Sequence, residues 1–243
     1  MAVASMPVFC PPHRQNGLYS ITHRGSRQTG LYNQAMAVKT TRAESTASHR
    51  APARERLLAA ADKLFYAEGV HVVGVDRIVE EAGVTKASLY NTFGSKDELV
   101  RAYLENHLRR RQKRVAGILA AQRSPREHIV AMFAEVEGLL AGSEFRGCRF
   151  ISAAAEARPG DAGEAVAAAY RAWLWSVFTD LARAAGAKDP KQFGRQLFLL
   201  YDGAAVAARM DDDRGAAAKA VRTAALSLLD AAIPAKAARR RAP

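Results

Sequence analysis

Cysteine, aromatic side chains and long apolar runs are all scarce in this chain of 243 residues. The two cysteines, Cys10 and Cys148, argue against a disulfide framework or a cysteine metal site, so a reducing cytoplasm is the predicted location. No apolar run approaches the roughly 20 residues of a transmembrane helix. The chain also lacks HxxxH and CxxC pairs, a glycine-rich phosphate loop and a nucleophile elbow. We therefore predict no enzyme, no metal and no cofactor.

Acidic side chains are missing from residues 1–43, and the formal net charge of the whole chain is +12. The basic excess lies outside residues 124–235, which fits attraction to phosphate by the N-terminal half. Residues 1–48 are predicted to be a disordered basic arm, or an extension upstream of a true start at Met36 or later. A short basic tail is expected at residues 236–243.

Strand patterns are absent, and helix-capping patterns recur along the chain. Ser95 with Glu98, Ser124 with Glu127, Asp161 with Glu164, and Asp189 with Gln192 each predict a helix start. Apolar residues at helical spacing follow each of them. An all-α chain of about nine helices is therefore predicted, and a long fourth helix links its two parts. The basic run Arg109–Arg114 is assigned to a solvated face of that helix.

The stretch Val75–Lys96 has the pattern of a helix-turn-helix. Gly83 supplies a left-handed turn, and the Thr85 hydroxyl can cap a second helix that runs to Phe93. On that helix Leu89 points inward, and the residues on the opposite side are small or polar.

Short or hydrogen-bonding side chains are what a helix needs in the major groove of DNA. Ala87, Ser88 and Asn91 meet this requirement, and Lys86 can reach further from the N-terminal end. Tyr90 and Lys96 are better placed for phosphate oxygens, which fix the register but carry no sequence information.

The segment Gly83–Leu99, GVTKASLYNTFGSKDEL, resembles the DNA-binding signature of TetR-family transcriptional regulators. The resemblance implies base contacts from Lys86, Ala87, Ser88 and Asn91, and phosphate contacts from Thr85, Tyr90 and Lys96. Two departures stand out. Val73-Gly74 replaces the usual Ser or Thr at the start of the first of the two helices. Asn91-Thr92 replaces bulkier aromatic or imidazole side chains, so the operator sequence cannot be transferred from a relative.

The C-terminal part carries an aromatic stripe on its seventh helix, with Trp175 on the other side of that helix. Such stripes are usually plain core, but the resemblance implies an effector pocket for a small, largely hydrophobic molecule. The residues predicted to form it are Phe133, Phe145, Arg149, Phe150, Trp175, Phe178, Phe198, Tyr201 and Asp202. Arg149 and Glu156 can equally form structural ion pairs with their neighbours. Cys148 is expected to be buried and inert.

Small residues dominate the last two helices, which suits a close helix seam between two subunits as well as packing within one chain. The resemblance implies a homodimer through these helices. The predicted interface residues are Gly203, Ala204, Ala207, Ala220, Ala224 and Leu228.

Together these patterns predict a sequence-specific DNA-binding transcriptional regulator that binds a palindromic double-stranded operator and makes no membrane contact. Residues 49–96 would form the DNA-binding domain and residues 97–235 the effector-binding and dimerisation domain. A repressor released by its effector is the expected type. A nonspecific nucleic-acid-binding protein, driven by charge alone, and a helical enzyme are the alternatives.

Overall fold

The computed structural model describes residues 51–233, and within that range the chain forms nine helices and no strand. The all-α prediction is confirmed. The predicted arm at residues 1–48 and the predicted tail at 236–243 lie outside the described residues. The helices are α1 (Ala53–Glu68), α2 (Val75–Ala82), α3 (Lys86–Phe93), α4 (Lys96–Ala120), α5 (Pro125–Ala141), α6 (Arg149–Glu156), α7 (Ala162–Ala184), α8 (Pro190–Met210) and α9 (Arg214–Ala232).

Helices α1 to α3 enclose a small apolar core because each is apolar on one side. Leu57 of α1, Ile78 of α2 and Leu89 of α3 are fully buried in it. The turn between α2 and α3 is tight: Gly83 has φ +61°, and the Val84 N–H donates to the carbonyl of Val79 at 3.0 Å. This left-handed position favours glycine, so the helix-turn-helix is specified locally.

Helix α4 has 25 residues, which at 1.5 Å per residue makes it about 37 Å long. It packs against α1 and α3 and also against α5 and α7. Leu99, Tyr103 and Val115 lie on its buried side. The helix therefore connects the N-terminal helices mechanically to the rest of the chain.

Helices α5 to α9 pack around a second core, in which α7 lies between α4, α5, α6 and α8. Phe133, Phe178 and Phe198 are fully buried at its centre. Helices α7 and α8 approach closely at Gly194, where an added Cβ would lie 2.7 Å from the Cα of Thr179. Of the described helices, none combines the length and the apolar composition needed to cross a bilayer.

The helix start predicted at Asp161 is confirmed, but its side-chain cap and the full solvation of the basic run are wrong. Asp161 precedes α7 but makes no side-chain cap, since its carboxylate accepts from the Arg158 N–H at 2.7 Å. Asp97 of α4 accepts instead from the Ala162 N–H, at 3.1 and 3.2 Å. The run Arg109–Arg114 is not wholly solvated, because the Arg111 side chain is only 11% exposed and pairs with Glu135.

Candidate functional site

Helix α3 presents its polar side to solvent because Leu89 anchors the opposite side in the core. Lys86, Ala87 and Asn91 are exposed, and Ser88 is half-buried. The four residues predicted to face bases therefore share one accessible surface, which we call the α3 face. The Thr85 hydroxyl caps the helix by accepting from the Ser88 N–H at 3.2 Å.

The three residues predicted to contact phosphate flank this surface. Thr85 is exposed, Tyr90 is 49% exposed and Lys96 is half-buried at the start of α4. Burial lowers the pKa of Lys96, although the nearby carboxylate of Glu156 partly opposes that effect.

An ion pair that the sequence did not predict holds Lys86. Its Nζ lies 2.6 Å from Oδ1 of Asp76 on α2, and this hydrogen bond raises the pKa of Lys86. Both side chains are largely exposed, so solvent screens the attraction. At the start of α2, Gly74 provides no side-chain cap, in keeping with the departure at Val73-Gly74.

Asp62 of α1 contacts three basic side chains from α4 and α6. Its carboxylate lies 2.8 Å from His107 Nε2, 3.7 Å from Arg110 and 3.5 Å from Arg149. Burial alone would raise the pKa of Asp62. The hydrogen bond to His107 and the charges of His107, Arg149 and Arg110 outweigh burial and lower that pKa.

Two further contacts tie α6 to α1 and to the loop after it. The guanidinium of Arg149 stacks on the ring of Tyr66, with its carbon 3.5 Å from the ring centroid. The carboxylate of Glu156 accepts from the backbone N–H of His71 at 2.8 Å. Arg149 therefore forms a structural ion pair with a neighbour, Asp62, whereas Glu156 accepts a hydrogen bond from backbone.

A cavity of about 700 Å³ opens between α4, α5, α6, α7 and α8. Five of the nine residues predicted for the effector pocket line it: Phe145, Arg149, Phe150, Tyr201 and Asp202. Several other lining residues were not predicted, because the apolar period of one helix does not show which helices will pack against it. They include His107, Arg110, Arg111, Arg114, Leu139 and Tyr170.

Several polar groups of this cavity already have partners. Arg111 donates to Glu135 at 2.5 Å and to the hydroxyl of Tyr201. Burial raises the pKa of Tyr201 to about 12, although the charge of Arg111 acts in the opposite direction. Burial also raises the pKa of Asp202, against the effect of its partner Arg171.

The other four predicted pocket residues lie elsewhere. Phe133, Phe178 and Phe198 fill the core, where Phe133 and Phe178 approach to 5.7 Å between ring centroids. Trp175 lies under the guanidinium of Arg195, at 3.8 Å. Neighbouring helices pack closely against the aromatic stripe of the central helix, because protein interiors are close-packed. The cavity therefore lies beside the stripe rather than over it.

The small residues of α8 and α9 differ in exposure. Ala204 is buried within the chain, Ala207, Ala224 and Leu228 are half-buried, and Gly203 and Ala220 are exposed. Leu199, Val206 and Met210 are exposed on the same side of α8 as Gly203, at helical spacing. The sequence did not lead to a prediction of this exposed apolar surface, although its residues stand at the helical spacing i, i+7, i+11.

Comparison with known proteins identifies this arrangement. The family profile described as "Bacterial regulatory proteins, tetR family" matches residues 57–103. A TetR-family transcriptional regulator from Streptomyces coelicolor is 33% identical, with a TM-score of 0.71 over 74% of this chain and 95% of its own. A TetR-type regulator from Streptomyces avermitilis is 35% identical, with a TM-score of 0.67 over 75% and 98% of the two chains. The chain belongs to the TetR family.

TetR-family membership makes this chain a DNA-binding transcriptional regulator, in agreement with the sequence analysis. The HTH-type transcriptional activator FasR of Mycolicibacterium smegmatis is 38% identical over 84 residues, 35% of this chain and 37% of that protein. The HTH-type transcriptional regulator LmrA of Bacillus subtilis is 28% identical over 149 residues, 57% of this chain and 75% of that protein. The match thus spans little more than a third of the length of FasR.

Proposed function

We propose that this TetR-family protein is a homodimeric, cytoplasmic repressor that reads a palindromic operator and leaves it when a small effector binds. Residues 49–96 would form its DNA-binding domain and residues 97–235 its effector-binding and dimerisation domain. The observation that carries the proposal is the α3 face, whose four residues are accessible together because Leu89 holds the other side of the helix.

On the operator, Asn91 would pair with an adenine edge and Lys86 with a guanine, while Ala87 and Ser88 allow close approach. Lys86 must first leave Asp76, but both side chains are largely exposed, so solvent screens the attraction and the exchange of partners costs little. Thr85, Tyr90 and Lys96 would bind phosphate oxygens and set the register.

Dimerisation would use the exposed side of α8 together with α9. Leu199, Gly203, Val206 and Met210 offer an apolar surface that a two-fold axis can pair with itself. Two α3 helices would then meet two half-sites about 34–36 Å apart, or a multiple of that spacing. A stable monomer in light scattering on dilution would contradict this assembly.

The effector would occupy the 700 Å³ cavity. Helix α4 contributes lining residues to it and also packs on α1 and α3, so a shift of α4 would move α3. Coupling of about 1–3 kcal/mol would change operator affinity about 5- to 150-fold.

Repression is proposed here rather than activation, although FasR is by name an activator. Whether the protein represses or activates transcription can be measured with a reporter gene placed downstream of an operator that the protein binds. Higher reporter expression in cells that lack this protein would support a repressor, and lower reporter expression would contradict it. Catalysis is the weaker alternative, and turnover of a bound ligand by the purified chain would support it.

Selection of bound fragments from random DNA tests the proposed function. We expect an inverted repeat whose half-site spacing matches whole turns of the duplex. Equal retention of all sequences would instead favour a nonspecific nucleic-acid-binding protein driven by charge.

A further inference from the structure

Arginine side chains outnumber the carboxylates that neutralise them along one wall of the cavity. Four arginines line it, and they share two carboxylates. Asp62 lies 3.7 Å from Arg110 and 3.5 Å from Arg149. In the same way, Oε1 of Glu135 lies 2.5 Å from Arg111 and 3.3 Å from Arg114.

Each carboxylate therefore faces two guanidiniums, and each group of three carries one positive charge in excess. Asp202, the other acid near this wall, is already paired with Arg171 from outside the cavity. Among the cavity-lining residues, only Glu144 offers a carboxylate without an ion pair in the described part of the chain. A bound anion would complete the pairing, because a guanidinium has five donors in a planar fork.

A second part of the cavity wall is apolar. Val136, Leu139, Leu140, Phe145 and Phe150 line it, and the ring of Phe150 stacks on Tyr170 at 3.9 Å between centroids. A ligand that fits both walls has a charged end and a hydrophobic body. An inorganic anion would leave the apolar wall uncovered, and a neutral hydrocarbon would leave the arginines incompletely paired.

Two of the four arginines also hold α1. Arg110 and Arg149 bind Asp62, and Arg149 stacks on Tyr66. A ligand anion that engages these two guanidiniums competes directly with the carboxylate of α1. The same event would then fill the cavity and loosen the contact that positions the helix-turn-helix.

From this geometry we infer that the effector is an organic carboxylate with an aliphatic or aromatic body. Its carboxylate pairs with Arg110 and Arg149 in place of Asp62. This inference rests on the proposed function, since it names the ligand class of the same cavity.

Calorimetry on the full chain tests the ligand class with three acids and their primary amides: decanoate, 4-phenylbutyrate and 1-naphthoate. Each pair shares its apolar body and differs in charge. At least one acid should bind about 10-fold or more tightly than its amide, and its affinity should fall as salt rises. Equal affinity of acids and amides, or no binding by any acid at millimolar concentration, would overturn the inference.

Two substitutions test the competition with Asp62, because they are expected to act in opposite directions. Arg110→Gln should weaken binding of the acid about 10-fold and leave binding of the amide unchanged. Asp62→Asn should strengthen binding of the acid several-fold, since the competing carboxylate is lost. Arg109→Gln, the neighbouring exposed arginine paired with Glu105, and Asp230→Asn, an ion-paired acid near the C-terminal end of α9, are the matched controls.

A purely structural role for this cluster predicts that Asp62→Asn and Arg110→Gln weaken the acid equally, which would contradict the inference. The proposed function fails separately. If the acids bind as expected but no selected operator exists, the regulator model falls and the ligand class stands. If a neutral amide releases the operator as well as its acid does, the ligand class falls and the regulator model stands.

Discussion

The α3 face and the arginine wall of the cavity are both polar, but they are held in different ways. Lys86 on the α3 face has one exposed partner, Asp76, and water can replace it at little cost. Arg111 in the cavity is 11% exposed and its partner Glu135 is 14% exposed. The comparison teaches that the Lys86 pair on the DNA-facing surface is free to change partners, while the Arg111–Glu135 pair of the cavity is fixed before any ligand arrives.

The largest expected difference between the two surfaces is the loss of stability when a charge is removed, and Arg111 is the residue that tests it. We expect Arg111→Met to lower the free energy of unfolding by about 3–5 kcal/mol, because it leaves the half-buried Glu135 without its main partner. Urea unfolding measures the loss. Arg114→Met is the control, since that side chain is 57% exposed and should cost less than about 1 kcal/mol. Equal losses for the two variants would contradict the difference between the surfaces.

Substitutions on the α3 face should change the affinity for DNA rather than the free energy of unfolding. Asn91→Ala is expected to lose about 1–3 kcal/mol of discrimination at one operator base, without a change in unfolding. Lys96→Ala should instead weaken binding to all sequences and reduce the salt slope by about 1. Fluorescence anisotropy with matched and mismatched duplexes distinguishes the two. A uniform loss from Asn91→Ala would place that residue among the phosphate contacts.

The substitution Asp76→Asn tests the α3 face by removing the charged partner of Lys86. Release of the Lys86 ion pair should leave the free energy of unfolding almost unchanged in urea unfolding, because both side chains are largely exposed. Operator affinity should rise slightly, because Lys86 no longer has a competing carboxylate. A fall in operator affinity would show that Asp76 positions Lys86 rather than competing for it.

The smallest effect is expected at Cys148. Burial raises the pKa of its thiol, so the reactive thiolate is rare at neutral pH. In a Cys10→Ser background, its reaction with a disulfide reagent should be slower than that of free glutathione. A faster reaction would contradict the expectation that this thiol is inert.

Local signals explain why α3 was predictable. The Thr85 cap, the Gly83 turn and the Leu89 anchor lie within seven residues, so sequence order places them together. The same holds for the Ser124 capping box, which the structure contains in full. All-α architecture follows from the repetition of such signals.

Long-range competition explains what the sequence did not show. The N-terminus of α7 is capped by Asp97, 65 residues before its donor Ala162, rather than by the adjacent Asp161. Arg111 meets Tyr201 across 90 residues. The basic run was therefore predicted to be a solvated face, but packing buries Arg111. The aromatic stripe was predicted to line a pocket, but most of its side chains lie in the core.

Disulfide trapping tests the central claim most directly, namely that the α3 face meets nucleobases in both half-sites. In a Cys10→Ser, Cys148→Ser background, Ala87→Cys would be mixed with an operator that carries a thiol-tethered base in each half-site. Rapid cross-linking of both subunits is predicted, with no reaction for Ala59→Cys, an exposed alanine of α1. Cross-linking at Ala59→Cys but not at Ala87→Cys would contradict the account.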